Sequence, residues 1–166
     1  AHGNFNIYRQ IKIPMINLHE KKEQVFGYFR TGVLINDDKN KNVTNTINSL
    51  KKGNCFLTNG PFLNIEIIDK KKVFNMGSTI KANKCSMKIA VISNPEFGKI
   101  QLIKVIRGVI NSNTEENYFI IENLSKYKFS KKIDIENHSD CYYRCEVVLV
   151  DENIFAMTNP IWINSL

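Results

Sequence analysis

The chain has 166 residues, 43% of them hydrophobic, and a formal net charge of +7 at pH 7. That length and apolar content are enough for the core of one domain and exclude a disordered or low-complexity chain. No apolar run approaches the roughly 18 residues of a membrane helix, and no charged-apolar-small N-terminal signal pattern is present.

A basic chain suggests nucleic acid or an anionic surface as partner. Here the lysines are scattered among many Asn and Ile residues, the joint bias of an AT-rich genome, and only Lys70-Lys71-Lys72 forms a run. It falls where a hairpin turn is expected, and reads either as a solvated turn or as a phosphate-tracking patch. Stacking aromatics are not interleaved with it, so no nucleic-acid partner is expected, and no membrane partner either. Cys55, Cys85, Cys141 and Cys145 form no CxxC pair and no Cys/His cluster at zinc spacing. Cys141 and Cys145 would share one face of a strand, too far apart to bridge. Reduced, mostly buried thiols fit a cytoplasmic compartment.

In chain order, Ala1 to Asn6 reads as a loop carrying His2, and Ala rather than Met at the start implies a processed chain, a tagged product or a fragment. Ile11, Ile13, Met15 and Ile16 form a short apolar patch broken by Pro14. Val25 to Ile35 is rich in aromatic and branched residues and reads as extended, followed by a charged loop from Asn36 to Asn42. Asn45 to Lys52 spaces Ile47 and Leu50 three apart, which predicts a short helix capped by Thr44 or Asn45 and stopped by Gly53. Cys55-Phe56-Leu57 is a short strand. It runs into Thr58-Asn59-Gly60-Pro61-Phe62, a corner, because Gly permits positive φ and Pro fixes φ and removes a donor.

After the corner, strand-length segments recur. Leu63, Ile65 and Ile67 alternate with polar residues and face a core; Val73-Phe74 begins the return; Met76 to Ile80 turns into a further strand. Met87, Ile89 and Val91 make a strand ended by Ser93-Asn94-Pro95. Ile100 to Ile106 offers apolar residues to both faces, and Gly108 breaks it. Tyr118 to Ile121, Tyr127 to Ile135, Tyr142 to Val150 and Ile154 to Ile163 complete the series, the last interrupted by Thr158-Asn159-Pro160. Short strands at this spacing predict a mainly β chain, an antiparallel, immunoglobulin-like β-sandwich.

Little in the residues themselves points to chemistry. His2, His19 and His138 lack acidic or Cys partners at ligand spacing, and His19 and His138 read as solvated. Asp37-Asp38 and Glu115-Glu116 read as loop pairs serving solvation rather than acid/base work. No phosphate loop, nucleophile elbow or Cys/His dyad is present. On these grounds the part after Gly60 is a binding or structural domain.

The helix, Lys51-Lys52-Gly53 and Cys55-Phe56-Leu57-Thr58-Asn59-Gly60-Pro61-Phe62 together resemble the segment that ends the catalytic domain of metallohydrolases of the polymerase and histidinol phosphatase (PHP) superfamily, CehA/McbA-like branch. Phe29-Arg30-Thr31-Gly32 is similar to the Pro-Arg-Thr that precedes it there, with Phe29 in place of the usual proline. Gly77-Ser78-Thr79-Ile80 and Ala156-Met157-Thr158-Asn159-Pro160-Ile161-Trp162 resemble segments of the appended domain, in the right order. Ala1-His2-Gly3-Asn4 is similar to the end of that family's metal-ligand series.

The resemblance implies a C-terminal fragment of a metal-dependent phosphoesterase. Residues 1–60 would be the short α/β tail of the catalytic PHP barrel, and 61–166 an all-β sandwich accessory domain, joined through Thr58, Asn59, Gly60, Pro61 and Phe62. His2 would be a metal ligand in the intact enzyme, whose di- or trinuclear site of Zn, Mn or Fe acidifies bound water and polarises phosphoryl oxygens. No catalytic residue and no cofactor is expected in this fragment itself; its implied partner is its own N-terminal PHP catalytic domain. The alternative is a stand-alone sandwich module binding carbohydrate or protein partners through exposed Tyr142, Tyr143 or Trp162.

Overall fold

The computed structural model describes residues 28–35, 42–112 and 114–165. The chain divides into two compact units, Ala1–Arg30 and Thr31–Leu166. Of the first, Tyr28, Phe29 and Arg30 are described, and the Tyr28 and Phe29 rings meet edge to face with centroids 5.1 Å apart. The second unit holds the fold.

Its described strands are β1 (Arg30–Val33), β2 (Cys55–Thr58), β3 (Phe62–Asp69), β4 (Lys72–Asn75), β5 (Thr79–Lys81), β6 (Lys84–Ile92), β7 (Ile100–Val109), β8 (Glu115–Ile121), β9 (Lys128–Glu136), β10 (Cys141–Leu149), β11 (Phe155–Thr158) and β12 (Ile161–Asn164). They form an eight-stranded sheet and a four-stranded sheet, the latter in the order β4-β3-β6-β9. In the larger sheet β10 is central. One of its edges carries β7 and then β8; the other carries β11 against Glu146–Val148 and β12 against Cys141–Tyr143. These two are therefore one strand interrupted by Thr158-Asn159-Pro160. β2 extends the sheet beyond β11, and β5 joins β12 in parallel. A mainly β, two-sheet sandwich is what the strand spacing predicts.

The alternation in the sequence decides which faces meet. Leu63, Ile65 and Ile67 of β3, Met87, Ile89 and Val91 of β6, Ile103 and Val105 of β7, and Tyr143, Cys145 and Val147 of β10 are all fully buried between the sheets. Side chains on a strand alternate in direction, so each of these sets lines one face and their polar neighbours the other.

Three expectations are corrected. The single described helix, α1 (Val43–Lys51), is capped by Asn42 rather than Thr44 or Asn45: the Asn42 Oδ1 accepts from the Asn45 N–H at 2.8 Å. Gly53, at φ +71°, ends its C-terminal turn as expected. Gly108 does not break β7 but lies inside it, because the Tyr142 ring from the neighbouring strand covers it where a Cβ would overlap. Glu115 and Glu116 are not loop residues: they open β8 and pair with Gly108 and Arg107.

The expected domain boundary at residue 60 falls inside hydrogen-bonded structure. β2 ends at Thr58 in the large sheet and β3 begins at Phe62 in the small one. The corner between them thus carries the chain from one sheet to the other, and β2 belongs to the same compact unit as the strands that follow.

Candidate functional site

The corner is held by its own side chains. The Thr58 hydroxyl accepts from the Gly60 N–H at 2.9 Å and donates to the Pro61 carbonyl at 2.7 Å, closing the turn locally. Asn59 reaches to the far end of the chain. Its N–H donates to the Phe155 carbonyl at 3.2 Å, its Oδ1 accepts from the Phe155 N–H at 2.7 Å, and its Nδ2 donates to the Asn153 carbonyl at 2.6 Å. Asn159 does the reciprocal thing. Its N–H donates to the Cys55 carbonyl at 3.2 Å and its Nδ2 donates to the Gly53 carbonyl at 3.0 Å.

The two Thr-Asn corners therefore terminate opposite ends of the β2–β11 ladder, each asparagine clasping the strand that carries the other. Between them, the Thr158 hydroxyl accepts from the buried Cys145 N–H at 2.9 Å, satisfying a donor of the central strand. Phe56, facing inward from β2, lies over Gly32 and meets Phe62 edge to face at 5.4 Å.

A third segment closes the same place. Gly77, at φ +80°, donates its N–H to the Pro160 carbonyl at 2.9 Å, and Trp162 donates its N–H to the Ser78 carbonyl at 2.9 Å. Gly77 lies directly on the end of α1: a Cβ there would overlap the Lys52 carbonyl and stand 2.8 Å from the Gly53 Cα. Thus Gly32, Gly53, Thr58 to Phe62, Gly77-Ser78 and Thr158 to Trp162, scattered through the sequence, form one interlocked junction. Thr58, Asn59, Gly60, Pro61 and Phe62, expected to join two domains, lie here within a single compact unit.

The outward face of the large sheet carries a polar network that the residues alone did not reveal. Glu115 on β8 receives the Arg144 guanidinium through Nε at 2.9 Å and Nη2 at 2.7 Å, and the Tyr142 hydroxyl at 2.8 Å; Arg144 Nη1 also pairs with Glu146. The bidentate Arg144 contact holds the Glu115 carboxyl down at about 2, burial opposing it and the Tyr142 hydroxyl helping. A carboxylate whose folded pKa is depressed adds stability that is present above its unfolded value, about 4.3, and is lost as pH falls toward the folded value. Wild type is accordingly expected to lose melting temperature between pH 4.5 and pH 2 more steeply than Glu115→Gln. Parallel curves over that range would show that the pairing contributes nothing.

Tyr142 and Trp162 are cross-strand neighbours on this outward face, both half-buried. Tyr143 is not part of any exposed platform: it is completely buried and faces the interior, with Tyr118 edge to face at 5.2 Å.

Beside Tyr143, directly across the ladder, Arg107 also points inward. Its Nη1 pairs with Glu116 at 2.9 Å and its Nη2 donates to the Ser139 hydroxyl at 3.0 Å. Burial opposes its charge, while the Glu116 contact raises its pKa above the usual arginine value. The Cys141 thiol lies in the same cluster and donates to the Asn137 Oδ1 at 2.9 Å. Three polar atoms here, Arg107 Nε, Asn137 Nδ2 and Tyr143 Oη, are buried with no nitrogen or oxygen partner among the described residues. Each such atom costs about 1–3 kcal/mol. The sequence signal for Arg107 was the inward alternation Ile103, Val105, Arg107, hidden by ending the strand at Ile106.

All four cysteines are free; three are buried. Burial pushes the Cys85 thiol up to about 11 and raises Cys55, Cys141 and Cys145 as well, so none is a ready thiolate at neutral pH. His138 is exposed. His2, His19 and Asp37-Asp38 lie outside the described residues. Among the described residues there is no group of three or more His, Cys, Asp or Glu able to hold a metal ion, and no helix long and apolar enough to cross a membrane.

No family model matches the chain, and no curated protein matches it. A crystal structure of a DUF3823 family protein from Bacteroides ovatus ATCC 8483 is similar to it with a TM-score of 0.42 and 12% identity, over 65% of this chain and 57% of that one. The match thus spans little more than half of that protein's length. The sandwich assignment rests on the two sheets and their registers.

Proposed function

We propose that this chain is the C-terminal part of a PHP-type metal-dependent phosphoesterase, and that the Thr31–Leu166 sandwich is its non-catalytic accessory domain, working with its own N-terminal catalytic domain. One observation carries the reading. Of the segments that resemble that family, the four within the described residues, Phe29 to Gly32, Lys51 to Phe62, Gly77 to Ile80 and Ala156 to Trp162, each contribute residues to the single junction described above. Residues that must interlock are constrained together, so a shared set of them argues for a shared architecture rather than chance similarity at each short stretch.

In this reading the junction is structural. It carries the chain from β2 in the large sheet to β3 in the small one, and in this reading its residues touch no substrate. Catalysis belongs to divalent ions, Zn, Mn or Fe, held upstream with His2 among their ligands; such ions acidify water and polarise a phosphoryl oxygen.

The test is hydrolysis of a simple phosphate monoester, p-nitrophenyl phosphate, by the native polypeptide that includes the segment upstream of Ala1, compared with Thr31–Leu166 alone. Chelator-sensitive turnover by the first and none by the second is expected. Turnover by the sandwich alone, or a native polypeptide without metal-dependent turnover, overturns the reading.

A second reading, a sandwich module that binds carbohydrate or protein, is favoured by the cross-strand pairing of Tyr142 with Trp162 on the outward face. Against it, the Tyr142 ring is laid across Gly108 and its hydroxyl is committed to Glu115. Retention on a glycan array that Trp162→Ala abolishes would favour this reading over the first.

A further inference from the structure

We propose that the polar end of the sandwich interior, around Arg107, Asn137 and Tyr143, is a binding site for a compact oxyanion: the carboxylate or phosphate group of a small molecule admitted past Tyr118. This site is independent of the phosphoesterase reading.

The starting point is an imbalance of donors over acceptors. Arg107 Nε and Asn137 Nδ2 can only donate, and the Tyr143 hydroxyl can donate; all three are enclosed, and among the described residues none has a nitrogen or oxygen partner. They come from three places in the fold, β7, the turn after β9, and β10. Arg107 and Tyr143 both approach the Cys141 sulfur, a weak acceptor whose own proton is given to the Asn137 Oδ1. Asn137 and Tyr143 are completely buried. Buried polar atoms in folded proteins are almost always paired, so three unpaired donors in one cluster call for an occupant rich in acceptors. An oxyanion supplies several acceptor oxygens in the volume of a few atoms, and bonds from Arg to such groups are among the strong ones.

The surroundings supply an approach. Tyr118, half-exposed, packs its ring edge to face on Tyr143 and forms part of the wall of an open cleft of about 680 Å³, with Cys85 also in its wall. Tyr118 therefore touches both the cleft and the Tyr143 ring. The cleft wall holds Lys70, Lys84 and Lys132 with Asp69, Asp134 and Glu136. Lys84 is paired with Glu136 at 3.0 Å, and Asp134 accepts from the Ser86 hydroxyl at 3.0 Å, so the cleft wall balances its charges and the pull on an anion comes from the donors of the cluster itself. Glu116, on the far side of the Arg107 guanidinium, is well exposed and screened by water. It neutralises part of the arginine charge but leaves Nε unpaired.

The experiment titrates the whole chain with sodium acetate and, separately, inorganic phosphate, at pH 7 and at ionic strength matched with chloride, reading melting temperature and heat of binding. One or both oxyanions should raise the melting temperature saturably, and the responding arm tells carboxylate from phosphate. Tyr143→Phe, which keeps the ring and removes the hydroxyl, should weaken binding roughly tenfold, the loss of one hydrogen bond to a charged group, while melting in chloride at or above wild type. Arg107→Lys, which keeps a charge and removes Nε, should weaken it similarly.

Equal melting curves in all three salts overturn the proposal, as does Tyr143→Phe binding like wild type. So does a crystal grown in saturating acetate and phosphate that shows an ordered water alone joining the three donors.

Discussion

Gly77→Ala is expected to cost roughly 2–4 kcal/mol of folding stability, the combined result of a strained backbone and a blocked contact. At φ +80° an L side chain is strained wherever it points, and here the added carbon would also overlap the Lys52 carbonyl and crowd Gly53. Both neighbours are main chain, so relief requires moving the end of α1 away from the Gly77-Ser78 turn, which also loosens the Gly77 N–H bond to Pro160. Gly98→Ala is the control. Its φ is +100°, yet nothing lies within 4 Å of the added carbon, so only the backbone strain applies, about 1–2 kcal/mol. Thermal melts of the two variants side by side measure the difference. If Gly77→Ala melts within a degree or two of Gly98→Ala, the glycine contact is not close-packed and the junction is looser than described.

The paired asparagines carry the second large effect. Asn59→Ala removes the Nδ2 bond to Asn153 and leaves the Phe155 N–H without its side-chain acceptor; Asn159→Ala removes the bond to Gly53. Each is expected to cost about 1–2 kcal/mol. The two sets share no atom and sit at opposite ends of the β2–β11 ladder, so the double substitution should be close to additive, about 3 kcal/mol. Urea melts of the two single variants and the double variant test this. A silent single substitution, or a double no worse than either single, would show that the ladder is held by other contacts.

What was legible in the sequence follows from which interactions are local. The inward sets of β3 and β6 were readable because strict alternation needs only neighbouring residues. The corner at Thr58 was readable because Gly and Pro restrict the backbone by themselves. Gly108 misled because the residue that fills its space, Tyr142, comes from a strand far along the chain. Glu115 and Glu116 resemble any surface pair until Arg144 and Arg107 are brought opposite them by the β7–β8 and β7–β10 registers.

Tyr142 and Tyr143 show how narrow the margin is. In a strand a one-residue shift in starting point exchanges inside for outside, and β10 begins at Cys141, which sends Tyr143 inward to the Arg107 cluster and Tyr142 outward to Glu115. Nothing local to the two tyrosines distinguishes them. The polar end of the interior was invisible for the same reason: Arg107 is distant in sequence from Asn137 and Tyr143 and meets them only through the pairing of β7 with β10.

The central claim, that this sandwich is the companion of an upstream metal-dependent catalytic domain, is tested most directly by elemental analysis of the native polypeptide purified without chelator, as wild type and as His2→Ala. The account predicts tightly bound divalent metal in the wild type and a reduced content, with reduced phosphate-monoester turnover, in His2→Ala. A wild-type polypeptide that binds no divalent metal, or a metal content that His2→Ala leaves unchanged, would contradict it.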